Sequence, residues 1–204
     1  MFGKFNLLRI ILILAIPLFS TQILAQTAAE TPLEAEDFIR ELATNALDVL
    51  NDTTLTKQER DESFRNLLKG AFDLDYIGRL VLGRFGRKAT KTEMQEFKII
   101  FPEYVLKIYA GRLNEFGDEV LEIGGTAPAG KKDIFVQSQV IRMGGKPVTA
   151  DWRVRRVKEE FKIIDLKIEG ISMVLTQRDE FSGKISKVGM QGLIKELKTQ
   201  SGLK

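Results

Sequence analysis

Neither cysteine nor histidine occurs anywhere in the 204 residues. Without cysteine there is no disulfide framework, so a hydrophobic core has to hold the fold. Without either residue, Ser-His-Asp triads, Cys-His dyads and zincin sites are excluded, and an enzyme would be left with carboxylate, Ser-Lys or tyrosine chemistry. Long apolar runs are also missing. The longest, residues 10–19, is too short for a membrane span of roughly 20 residues. It follows Lys4 and Arg9 and ends at Ile23-Leu24-Ala25, so residues 1–25 read as a cleaved signal peptide. No cysteine stands near the cut to take a lipid anchor. The chain has 31 basic and 28 acidic residues; without Lys4 and Arg9 the count is 29 against 28, a net charge of +1. A nearly neutral domain lacks the charge footprint of a nucleic-acid binder.

The remainder, 26–204, reads as one domain. A polar linker, 26–30, precedes a capping box at Thr31, Pro32 and Glu34. Ala35, Phe38, Ile39, Leu42, Ala46, Val49 and Leu50 then repeat at helical spacing. A second box, Thr56 to Glu59, opens a helix with Phe64, Leu67, Leu68 and Ala71 facing inward. Asp73 or Asp75 caps a third, whose apolar side is Leu74, Ile77, Leu80, Val81 and Phe85, and Gly83 and Gly86 end it. Thr92 starts a fourth helix with two apolar stripes, Phe97, Phe101, Tyr104 and Ile108 on one side, Leu106, Tyr109, Leu113 and Phe116 on another. A helix apolar on two sides is covered on both. Pro102 is expected to kink or split it.

After Gly117 the period changes from 3.6 to 2. Leu121 and Ile123; Ile134, Val136 and Val140; Val148, Ala150, Trp152 and Val154; and Ile164, Leu166 and Ile168 mark four strands of an antiparallel meander. From Gly170 the pattern returns to helix, with Ser172 as cap and a short amphipathic segment after Gly189. The fold expected is α+β: N-terminal helices packed on a curved four-stranded antiparallel meander, with C-terminal helices closing one end.

Candidate sites have two readings. Arg84, Arg87, Lys88 and Lys91 either complement a helix C-terminus or hold an anion at the mouth of an apolar cavity, a task suited to the planar donor fork of arginine. Residues 83–86, GRFG, imitate the nucleotide-clamping loop of KH domains, but leader and charge argue against it. Ser172 lacks the closing glycine of G-x-S-x-G and reads as a cap. Asp73, Asp75, Asp165 and Glu169 could pair for acid-base work or serve as caps and strand ends. Tyr104, Tyr109 and Trp152 fit a core or a cavity wall equally.

Five segments carry a resemblance: FDLDYIGRLVLG (72–83), EF (96–97), IYAGRL (108–113), IIDLKIEGISMVLTQRDEF (163–181) and GMQGLI (189–194). In this order they are similar to the MlaC, or toluene-tolerance, family of periplasmic phospholipid-binding proteins, which serve an ABC-type lipid transporter in Gram-negative envelopes. The resemblance implies a deep apolar cavity taking both acyl chains, with the head group at its mouth. Its implied wall is Leu74, Ile77, Leu80, Val81, Phe85, Phe101, Tyr104, Ile108, Tyr109, Ile134, Val136, Val148, Trp152, Val154, Ile164 and Leu166, and its rim is Arg84, Arg87 and Lys88. It further implies a periplasmic, monomeric shuttle without catalysis, cofactor or metal. Its partners would be an inner-membrane ABC complex with a membrane-anchored substrate-binding subunit, and an outer-membrane lipoprotein complex. Where Gly86 stands the family usually has an aromatic, often tryptophan, so a reshaped pocket entrance is expected. Competing readings are a hopanoid or other polycyclic-lipid carrier, a carboxylate-dependent envelope hydrolase, and an interaction module with a solid core.

Overall fold

A computed structural model describes residues 26–113, 120–141 and 144–203, with side chains described except at 26–30 and 109–113. The expected signal peptide lies outside the described residues. Helix α1 spans Gln26–Asn51. The expected linker at 26–30 is therefore helical, and Pro32 sits inside the helix rather than at its first position. Alanines 28 and 29 and Glu30 favour helix, and Pro32 removes a single backbone bond.

Helix α2, Lys57–Ala71, starts at the predicted box: Thr56 Oγ1 accepts from Glu59 N–H while the Glu59 carboxylate accepts from Thr56 N–H at 2.8 Å. Asp73, not Asp75, caps α3, Leu74–Leu82, by accepting from Tyr76 N–H at 2.9 Å. The box of α4, Lys91–Leu113, uses Thr90 rather than Thr92, because Glu93 three residues on supplies a charged acceptor to Thr90 N–H. α4 is not split at Pro102. Buried Phe101, Tyr104 and Leu106 on either side of the proline compensate the bond it removes.

Strands β1 (Val120–Pro128), β2 (Asp133–Ile141), β3 (Val148–Val157), β4 (Glu160–Ile168) and β5 (Ile171–Ser172) form one open antiparallel sheet in sequence order. The meander is as expected, with five strands instead of four. Glu169 and Gly170, at φ 49° and 78°, make the tight turn that lets Ile171 and Ser172 pair back onto Ile168 and Lys167. A bulge at Arg153/Val154 changes the register with β4, so Val154 stands opposite Ile163. Period-2 reading missed Ile163 for this reason: the bulge turns it to the same face as Val154.

Helix α5, Met173–Ser201, kinks at Gly189 (φ 73°, ψ 176°). Its start is tied to the sheet. The Asp165 carboxylate accepts from Ser172 Oγ at 2.6 Å and from Val174 N–H at 3.1 Å, while Ser172 Oγ accepts from Leu175 N–H. No helix among the described residues is long and apolar enough to cross a membrane.

Candidate functional site

The apolar residues divide between two clusters. The first is built by α3, α4 and α5. Leu74, Ile77, Val81, Phe101 and Tyr104 are buried in it, with Leu80, Phe85 and Ile108 against its edge. Phe97 and Phe101 stack at 5.1 Å, and Phe181 meets both edge-on at 6.2 Å. Gly78 lets α3 approach closely, since a Cβ there would lie 3.2 Å from the Phe101 ring. A crevice between α3 and α4 has a volume of about 10 Å³, room for about one water molecule. This cluster is a filled helical core, and the deep cavity expected along α3 is not visible there.

The second cluster lies between α1, α2 and the sheet. Ala35, Ile39 and Leu42 of α1 cover Val136, Val154 and Ile163, all buried. Around them Phe38, Leu67, Leu121, Ile123, Ile134, Trp152 and Phe161 are only half-buried. Val148 and Leu166 are also half-buried, and Ile164 is buried beside the bulge. The side chain of Tyr109 lies outside the described residues. Most of the expected wall thus divides between two packing units, with Phe72 touching both, while Val148, Ile164 and Leu166 belong to neither. Helical periodicity identified the buried side of α3 but carried no information on which layer covers it.

One polar pair on this sheet face went unnoticed in the sequence. Trp152 Nε1–H donates to Ser138 Oγ at 3.0 Å, and Ser138 donates to the Ala150 carbonyl at 2.7 Å. Ser138 follows Ile134 and Val136 at period 2, a polar residue in an inward series, which was the available signal. It gives the indole a partner while the ring stays on the apolar face.

The rim residues Arg84, Arg87 and Lys88 are exposed in the turn after α3. Arg84 shares an open groove of about 260 Å³ with Leu175, Arg178, Asp179 and Ser182. A Cβ added to Gly86 would come 3.2 Å from Leu82 Cβ, so the turn lies tight against α3. The four candidate carboxylates are dispersed: Asp73 and Asp165 hold helix starts, Asp75 is exposed beside the small crevice, and Glu169 accepts from Thr149 N–H and Oγ1. Nothing brings two of them together for acid-base work.

Asp133 is a buried electrostatic centre that spacing alone did not reveal. Its carboxylate, 5 % exposed, accepts from the guanidinium groups of Arg153 and Arg155, and Arg155 stands over the Tyr76 ring at 4.7 Å. Strands β2 and β3 are thereby joined to α3. Burial pushes the Asp133 carboxyl up, but hydrogen bonds from Arg155 and Arg153, together with their charges, outweigh it and hold it below its ordinary 3.8. A lowered carboxyl stabilises the fold above the unfolded value and loses that contribution as pH falls through the folded one. Asp133→Asn is expected to lower the melting temperature near neutral pH by a few degrees, about 1–2 kcal/mol because both arginines are partly solvated. Its deficit against the wild type should shrink below about pH 4. Thermal melts across pH check this; a deficit constant down to acid pH refutes it.

The MlaC protein family model matches residues 40–199. The intermembrane phospholipid transport system binding protein MlaC of Haemophilus influenzae is 25% identical over 137 residues, which cover 65% of this chain and 64% of that protein. The chain thus spans less than two thirds of that relative's length. Toluene tolerance protein ttg2D of Pseudomonas putida is 21% identical over 188 residues, 88% of this chain and 82% of that one. Among solved structures, a phospholipid-binding protein of Ralstonia solanacearum in complex with a phospholipid has the same fold. Its TM-score is 0.71 at 24% identity, covering 82% of this chain and 97% of that one.

Proposed function

Because the chain belongs to the MlaC family, we propose that it binds one phospholipid and carries it across the periplasm between inner and outer membranes, without catalysis. The observation that carries this reading is the half-buried apolar face between α1 and the sheet. A solid core would cover Ile134, Trp152, Leu121 and Ile123 completely; a face left partly wet can exchange contact with α1 for contact with acyl chains. Moving roughly 30 methylenes into water costs on the order of 25 kcal/mol at about 0.8 each, so an unassisted lipid hardly leaves its membrane. The carrier must cover nearly the whole tail. Loading therefore parts α1 from the sheet and opens the deep cavity, with Ile134, Val136, Val148, Trp152, Val154 and Leu166 against the tails. Delivery alternates between an inner-membrane ABC complex and an outer-membrane lipoprotein complex.

The test is extraction of the protein purified from its own compartment, followed by mass spectrometry. Phospholipid near one per chain is expected. A hopanoid instead would change the ligand class but keep the carrier. A lipid-free protein that takes up no lipid from vesicles would leave an interaction module with a solid core.

A further inference from the structure

We infer that the groove between the turn after α3 and the first turns of α5 docks the protein on an anionic lipid bilayer. It is lined by Arg84, Leu175, Arg178, Asp179 and Ser182. Arg178 lies across Gly83, whose missing side chain makes room for it: a Cβ there would sit 3.0 Å from Arg178 Nε. Leu175 in the groove lining is 56% exposed, and Ile171 on β5 four residues earlier is 60% exposed, whereas Leu193, Ile194 and Leu197 nearer the end of α5 are buried.

Arg65, Arg153, Arg155, Arg156, Lys162, Lys184 and Lys198 each pair with a carboxylate. Among the described residues, Arg84 and Arg178, which line the groove, have no carboxylate within salt-bridge distance, and exposed Arg87 and Lys88 follow Arg84 in the same turn. Asp179 is the acidic residue in the groove lining, and it offsets only part of that positive charge. Unpaired cations flanking exposed aliphatic side chains match the two layers of a bilayer interface, anionic head groups above and acyl chains below. An acidic protein would satisfy the arginines but leave Leu175 without a specific partner. The contact is shallow and reversible, as a shuttle requires. Its purpose rests on the carrier reading; the binding itself does not.

Co-sedimentation of the intact protein with vesicles of phosphatidylcholine, alone and mixed with phosphatidylglycerol, tests this. Binding is expected to the mixed vesicles only, and to weaken as salt shortens the Debye length below about 8 Å. Arg178→Gln should lower the affinity about fivefold, and Arg178→Gln with Leu175→Gln at least tenfold. Co-purified lipid should stay unchanged in both, so a protein that carries no lipid yet docks would fail only the carrier reading. Equal binding to both vesicle types, or full binding by the double variant, overturns the inference. So does equally tight, equally salt-sensitive binding to soluble polyglutamate, which would give the groove to an acidic protein.

Discussion

Val81→Glu is expected to abolish folding rather than merely lipid loading. Val81 is 1% exposed among Leu82, Phe97 and Phe101, in a cluster whose nearest crevice holds about one water molecule. A carboxylate there has neither space nor counter-charge, and a buried unpaired charge costs about 5 kcal/mol or more even after relaxation. Native domains hold only about 5–15 kcal/mol in reserve. The expected result is insoluble protein, or a soluble form with collapsed near-ultraviolet circular dichroism and a melting temperature lowered by about 10–20 °C. A Val81→Glu protein that melts near the wild type but carries no lipid would contradict the filled core and make α3 a cavity wall after all.

Ile134→Glu is expected to do the opposite. Ile134 is half-buried on β2, opposite Val154 and beside the face covered by α1. Its partial exposure lets a carboxylate reach water, so the fold should lose only about 1–3 kcal/mol. Acyl chains laid on the same face would have to desolvate that charge, and phospholipid content should fall at least about tenfold. Ile134→Leu, which keeps volume and polarity, should retain lipid. Wild-type lipid content in Ile134→Glu would remove the sheet-side face as the binding surface.

The contrast between these two positions marks where sequence reading ended. Both residues are β-branched, apolar and periodic with their neighbours, and the family resemblance implies one wall for both. What separates them is the partner layer. Val81 is buried in the cluster built with Phe97 and Phe101 of α4 and Phe181 of α5, whereas Ile134 packs against the cluster that α1, about 100 residues earlier in the chain, shares with the sheet. Asp133 is a similar case. Its partners are 20 and 22 residues away, and only the antiparallel register sets it opposite Arg155 and diagonal to Arg153.

By itself the sequence determined the helix start at Thr56, a cap at Asp73 or Asp75 for the next helix, the change from helical to strand period after Gly117, the order of the meander and the family. These follow from local backbone chemistry, where a cap, a turn or a repeat acts within a few residues. The tertiary structure alone decided that α3 packs with α4 and α5 while α1 covers the sheet. It also decided which cations are paired and which stand free around Leu175. The hydrophobic effect has no direction: it requires each apolar face to be buried, and only the assembled chain selects the surface that buries it.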